Sequence, residues 1–212
     1  MKNNLIVCRE CNGLGEVLDS CAGMTTCPKC NGLKQITKIF YENIMVDLET
    51  LGKRAGCSIL SIGAVKFDLD GLGEGFYVTV NRLSCKEAGL FEDPDTISWW
   101  DRQSDEAKVI LKQVEEPAAL HLQEALDKFA AFIGKEKIWG NGSDFDNAIL
   151  YACYAAVDKE VPWKFWDSRC YRTLKGLFPD VKLARVGTYH NALDDAKSQA
   201  LHAIEIMKEK KL

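Results

Sequence analysis

The chain has 212 residues and a formal net charge of −4, with 47% apolar and 27% charged residues. These proportions exclude a disordered or fibrous chain, and the length allows one full domain or one domain beside a small module. No run of about 18 apolar residues occurs, and the stretch 1–7 lacks the long apolar core of a signal peptide, so a cytoplasmic protein with no membrane partner is expected.

The acidic total argues against a simple electrostatic nucleic-acid binder, but the charge is uneven. Residues 1–40 hold five Lys/Arg and three Asp/Glu, a net of +2, which leaves −6 for the remainder. Within that remainder, 163–187 carries six basic residues (Lys164, Arg169, Arg172, Lys175, Lys182, Arg185) and two acids (Asp167, Asp180), a local net of +4. Such a stretch suits a phosphate backbone or, more plainly, a solvated surface.

Composition changes near residue 40, which divides the chain into a small module at 5–38 and a larger domain at 42–212. Five of the nine cysteines lie in the first 30 residues: Cys8, Cys11, Cys21, Cys27 and Cys30. The other four (Cys57, Cys85, Cys153, Cys170) sit among apolar residues and read as buried thiols. The front set contains a repeat, Cys8-Arg-Glu-Cys11-Asn-Gly13 against Cys27-Pro-Lys-Cys30-Asn-Gly32. Two CxxC pairs at this separation present four thiolates to one tetrahedral Zn²⁺. A closed shell of that kind is structural, and forty residues without a core need it to fold. Cys21 reads as a spare thiol or an alternative ligand.

In the larger domain, 43–48, 58–67 and 75–80 read as strands joined by Gly-rich turns. The stretches 96–113 and 120–133 read as helices, and in the second Leu122, Ala125, Leu126, Phe129 and Ile133 fall at helical spacing. A short strand at 137–140 and helices at 145–157 and 190–211 follow, the last with Leu193, Ala196, Ala200, Ala203 and Met207 on one face. Strands first, then helices mixed with strands, indicate an α/β domain with a mixed sheet. Trp163 and Trp166 read mostly as core.

Three pieces carry chemistry. Asp47-Leu48-Glu49 ends the first strand, so its two carboxylates face one side and suit a hard divalent cation. In Trp139-Gly-Asn-Gly-Ser-Asp-Phe-Asp146, Ser143 or Asp144 can cap the following helix, which frees Asp146 to point at a metal. In His190-Asn-Ala-Leu-Asp-Asp195, His190 stands at a helix start and Asp195 about one and a half turns later. The neighbouring Asp194 points ~100° away and reads as a bystander; His121 and His202 lack carboxylate partners at a useful spacing.

Asp-x-Glu, Asn-x3-Phe-Asp and His-x4-Asp, in that order, resemble the DEDDh (DnaQ-like) 3′–5′ exonuclease superfamily over 42–212. The strings 47–52, 96–104, 139–142 and 190–196 resemble most the bacterial and phage exonuclease VIII-like subfamily; a phage product would sit in its host's cytoplasm. The front module resembles half of a DnaJ-type cysteine-rich zinc domain, but the chain has no His-Pro-Asp, so co-chaperone function does not carry over.

The resemblance implies a ribonuclease H-like mixed five-stranded sheet flanked by helices. It implies that Asp47, Glu49, Asp146 and Asp195 hold two Mg²⁺ or Mn²⁺ ions, whose +4 offsets the carboxylates' −4. Such a pair stabilises the attacking and leaving oxygens of a phosphodiester. His190 is then the general base, and the products are 5′-mononucleotides. One structural Zn²⁺ on Cys8, Cys11, Cys27 and Cys30 completes the cofactors. Candidate substrate contacts are Leu48 as a wedge, Thr50, Trp99 and Trp100 (one exposed for stacking), Asn141, Arg169 and Arg172. Expected partners are single-stranded nucleic acid or 3′ overhangs, DNA or RNA, and a homodimer is admitted. The residues leave open a nucleic-acid or protein binding module with a vestigial nuclease site, and a ribonuclease H-like endonuclease or resolvase.

Overall fold

The structure is a computed structural model that describes residues 3–7, 10–19, 23–28, 30–39 and 41–212. It divides into two compact units, Met1–Tyr41 and Glu42–Leu212.

In the first unit, strands β1 (Asn3–Val7) and β4 (Gln35–Ile39) pair antiparallel, as do β2 (Glu16–Asp19) and β3 (Gly23–Thr26). No strand is legible there from the sequence, because segments of four or five residues are too short to establish a period. The repeated turns between them adopt one conformation twice. Asn12 and Asn31 have φ of 46° and 47°, and Gly13 and Gly32 have φ of 78° and 77°. Consecutive left-handed residues are what an Asn-Gly pair tolerates and most residues do not.

The second unit is built on a five-stranded sheet in the order β7-β6-β5-β8-β9. Strands β5 (Asn43–Thr50), β6 (Ile59–Asp68) and β7 (Gly71–Thr79) form the antiparallel meander expected from the Gly-rich turns. Strands β8 (Lys137–Gly140) and β9 (Ser168–Cys170) add to β5 in parallel. The result is a mixed α/β sheet with helices on both faces. The helices are α1 (Arg82–Glu87), α2 (Pro94–Asp101), α3 (Asp105–Gln113), α4 (Leu122–Phe132), α5 (Asp146–Ala156), α6 (Tyr171–Leu177) and α7 (Ala192–Lys210).

Central β5 is buried on both sides, as its Ile44-Met45-Val46 run requires. Ile44, Val46 and Leu48 enter one core with Leu126 and Phe129 of α4 and Ile149 and Leu150 of α5. Met45 enters the other, with Ala196, Ala200 and Ala203 of α7 and Tyr171 of α6. Period-2 alternation therefore sends Asp47 and Glu49 to the α7 face.

The helix expected at 96–113 is two helices. Ser104 leaves the helical region (φ −63°, ψ 160°), and its hydroxyl accepts the Ala107 N–H, with Asp105 and Glu106 behind it. That is an N-cap with acids in the first turn, and it overrides the apolar spacing across the break. Strand β9 and helices α1 and α6, of three, six and seven residues, escaped periodicity for lack of length. Among the described residues, no helix is long and apolar enough to cross a membrane.

Candidate active site

Gly63 of β6 pairs with Asp47 of β5. A methyl group on Gly63 would lie 2.1 Å from the carbonyl carbon of Ala192 and 2.2 Å from the nitrogen of Leu193. The missing side chain lets the first turn of α7 rest on the sheet beside Asp47. About two turns into α7, the Gln199 amide donates to Asp47 Oδ1 at 2.6 Å. Asp195 lies one turn nearer the helix start, beside Glu49. A carboxylate oxygen of Glu49, one of Asp195 and a ring nitrogen of His190 lie within 4.8 Å of one another.

Asp146 arrives from the third segment and is fully buried. Its Oδ1 accepts the Leu48 N–H at 3.1 Å and its Oδ2 accepts the Asn141 N–H at 2.6 Å. These bonds tie the start of α5 to the ends of β5 and β8. The expected cap does not form: Ser143 and Asp144 are exposed, the N-cap position is Phe145, and no side chain caps the helix. The Phe145 ring is drawn into the first core instead, which sets the entry angle of α5.

His190 has φ of 59°, a left-handed conformation that costs a branched-free but bulky residue free energy and needs support. The support is aromatic. Its ring meets Trp99 edge-on (5.1 Å, 89°) and Trp100 (6.0 Å, 72°), while Trp100 Nε1 donates to the Thr50 carbonyl at 2.9 Å. Asp194, read as a bystander, accepts the Thr188 N–H at 2.9 Å through Oδ2 and so fastens the turn that delivers His190. Arg185 forms an ion pair with Asp195 and stacks on Tyr189.

The electrostatics follow from this crowding. Burial, then the charges of Asp146, Glu49 and Asp195, holds the Asp47 carboxyl well above the usual carboxylate range, against the Gln199 hydrogen bond. Burial, then Asp195 and Asp146, pushes Glu49 up to about 8, against the pull of Arg185. Burial pushes Asp146 up to about 6, although the Asn141 and Leu48 N–H groups and Arg172 work the other way. Asp195 is raised by burial and held back by Arg185. Four carboxyl groups that resist ionising together form a site short of positive charge. All-oxygen donors with one imidazole nearby fit hard divalent cations.

A cleft of about 470 Å³ opens over this cluster, with Leu48, Thr50, Trp99, Trp100 and Phe145 among its walls. Trp99 is 37% exposed and Trp100 is buried, so the adjacent pair divides as helical geometry requires. The Thr50 hydroxyl donates to the Gly52 carbonyl at 2.6 Å, and the Leu48 side chain is largely in the core. Asn141 serves Asp146 through its backbone N–H. Arg172 lies over Gly142 at the site's edge, and Arg169 lines a separate cleft. Trp163 is buried as expected, but Trp166 is exposed: the 3₁₀ turn Phe165–Asp167 rotates it out of the core. Nothing in the sequence marks Gln199, Gly63, the tether made by Asp194 or the pairing of Arg185 with Asp195.

In the first unit, Cys11, Cys27 and Cys30 are buried and their sulfur atoms lie within 4.8 Å of one another. The Gly15 N–H points at Cys11 Sγ, 3.3 Å away. Three converging thiols are compatible with zinc. Cys8 and Cys21 lie outside the described residues.

A mixed five-stranded sheet flanked by helices, with carboxylates gathered at the ends of its two central parallel strands, defines a ribonuclease H-like nuclease fold. The family model for the 3'-5' exoribonuclease Rv2179c-like domain matches residues 42–207, and the chain belongs to that family of 3′–5′ exonucleases. In fold the chain is similar to Exonuclease X in complex with 5' overhanging duplex DNA (TM-score 0.53, 16% identity, covering 80% of this chain and 93% of that one). It is also similar to the nuclease domain of 3'hExo, a DEDDh family member, bound to rAMP (0.54, 17%, 80% and 94%). A third is E. coli Exonuclease I in complex with an oligonucleotide (0.50, 12%, 80% and 41%). No curated protein matches the chain.

Proposed function

We propose that the second unit is a DEDDh-type exonuclease that removes nucleotides one at a time from the 3′ end of a single strand and releases 5′-mononucleotides. The observation that carries this reading is the convergence of Asp47 and Glu49, Asp146, and His190 with Asp195, from three distant segments, beneath one cleft. The description of the family favours RNA. The neighbours bound to duplex DNA with an overhang and to rAMP keep both nucleic acids in the test.

Asp47, Glu49, Asp146 and Asp195 would hold two Mg²⁺ or Mn²⁺ ions. When bound, these supply charge stabilisation to the attacking and leaving oxygens of the phosphodiester. His190 accepts a proton from the attacking water at a ring nitrogen; the P–O3′ bond breaks, and the freed 3′-oxygen takes a proton from solvent. Trp99 and Trp100 hold the imidazole in place, and Asp194 and Gln199 fix the turn and the helix that bring it to the carboxylates. Leu48, Thr50 and Trp99 would receive the terminal nucleotide, with Asn141, Arg169 and Arg172 towards the rest of the strand. In the first unit, Cys8, Cys11, Cys27 and Cys30 would hold one structural Zn²⁺ in a half-DnaJ-type module. The subfamily reading, exonuclease VIII-like, rests on the four sequence strings.

The test is digestion of 5′-labelled RNA and DNA oligomers with Mg²⁺ or Mn²⁺. A ladder shortening from the 3′ end, with 5′-mononucleotides released, is expected. His190→Ala should slow the chemical step by ~10²–10⁴ while oligomer binding persists. Internal cuts without a 3′ ladder, or tight binding without cleavage by the wild type, would favour the endonuclease or the vestigial-site reading.

A further inference from the structure

Phe165 and Trp166 are 77% and 57% exposed, a large apolar area for a turn that has no core to fill. Their rings pack edge to face at 4.8 Å, and the Lys164 ammonium lies 5.2 Å from the Trp166 ring. The turn is tied to β9: Arg169 Nη1 donates to the Trp166 carbonyl at 2.7 Å and to that of Ser168 at 2.9 Å. The same Arg169, with Ser168, lines a cleft of about 280 Å³ whose other walls include Tyr151, Ser143 and Gly142. Tyr151 is itself partly exposed and braced edge-on by buried Trp163 at 5.4 Å.

The walls of this cleft adjoin, along β8, β9 and the start of α5, the residues that hold Asp146. In β9, Arg169 and Cys170 pair with Trp139 and Gly140, and the next residue after Gly140 is Asn141, whose N–H holds Asp146. At its near end, a methyl on Gly142 would lie 3.0 Å from Phe145 Cβ, in the wall of the first cleft, and 3.5 Å from the Arg172 guanidinium carbon. The segment 164–175 carries Lys164, Arg169, Arg172 and Lys175 against one acid, Asp167, in a chain of net charge −4.

Aromatic faces interleaved with cations are the surface that unpaired bases and their phosphates recognise, by stacking without regard to sequence. A protein partner for so basic a patch would need matching acids, whereas a nucleic-acid strand carries its own phosphates to pair with Lys164, Arg169, Arg172 and Lys175. We propose that Tyr151, Phe165 and Trp166, with Arg169 and Arg172, form a track for the single strand upstream of the terminal nucleotide. This rests on the exonuclease reading and adds to it a preference for 3′ single-stranded segments several nucleotides long.

The test compares the wild type with a Phe165→Ala/Trp166→Ala variant. Both side chains are exposed, so the change opens no cavity. Two substrates are used: a dinucleotide, and a single-stranded oligomer of about 12 nucleotides, within the ~4–16 that such surfaces hold. The variant should cleave the dinucleotide normally while its KM for the oligomer rises roughly 5- to 100-fold, with kcat little changed. Anisotropy of a labelled oligomer, without divalent cation, should show the same loss of binding. Unchanged KM and unchanged binding overturn the track. So does a variant that binds the oligomer normally but loses a concentration-dependent dimer, which would assign the surface to a second copy. A wild type inactive on both substrates that still binds the oligomer through these residues would overturn the exonuclease reading and leave the track standing.

Discussion

Replacing Glu49 by glutamine should abolish cleavage and yet stabilise the protein, increasingly so as pH rises. Glu49 is 7% exposed, and its folded pKa is about 8 against an ordinary 4.5. A carboxyl with a raised folded pKa binds more protons folded than unfolded between those two values. Stability is therefore retained below the unfolded pKa and lost as pH rises towards the folded one. At ~1.36 kcal/mol per unit, the charge costs about 1 kcal/mol at pH 5 and about 4 kcal/mol at pH 8. Glutamine keeps the shape without the charge, so its advantage should grow by about 3 kcal/mol over that interval. For a domain of this size that is roughly 6–12 °C in Tm. Thermal unfolding followed by circular dichroism at both pH values, without added Mg²⁺ or Mn²⁺, measures the difference. A gap between variant and wild type that does not change with pH would refute the reasoning, as would a variant less stable than the wild type at pH 8. Added Mn²⁺ should rescue the wild type at pH 8 and do little for the variant.

Three further outcomes follow from the same geometry. Gly63→Ala places a methyl 2.1 Å from the Ala192 carbonyl carbon; α7 must shift away from Asp47, and kcat/KM should fall about 100-fold, whereas wild-type kinetics would show that the contact relaxes freely. Asp194→Ala removes the acceptor of the Thr188 N–H and should lower kcat about 10-fold, the equivalent of one hydrogen bond, with Mn²⁺ affinity intact; full activity would return Asp194 to the role of bystander. Elemental analysis should find about one zinc per chain, lost in Cys27→Ser; zinc at full occupancy in that variant would contradict the four-thiolate assignment.

The placement of Glu49 two residues after Asp47 on β5, and of Asp195 near the start of α7 behind His190, is legible because it depends on local geometry. Alternation on β5 aligns Asp47 with Glu49, and a helix start sets the spacing of His190 and Asp195. What was illegible depends on contacts between segments. The Gln199–Asp47 hydrogen bond spans 152 positions, and nothing in a lone Gln on a helix announces it. Gly63 reads as one more small residue in a strand until α7 is seen resting on it. Asp194 does point away from the cluster, as helical geometry says, but its carboxylate is used by the turn behind. The break at Ser104 is present in the sequence as a cap followed by acids, and these outweigh the apolar spacing across it. Residue type alone does not place Trp166, because a three-residue turn decides which way its ring faces.

The proposed two-cation site draws its carboxylates from three segments. Its most direct test is a Mn²⁺ titration of the full chain followed by electron paramagnetic resonance, in which a zinc on the cysteines is silent. About two Mn²⁺ per chain are expected, close enough to couple magnetically, with the coupled signal lost in Asp47→Asn and in Asp146→Asn. Binding of a single uncoupled ion, or two coupled ions surviving in either variant, would contradict it.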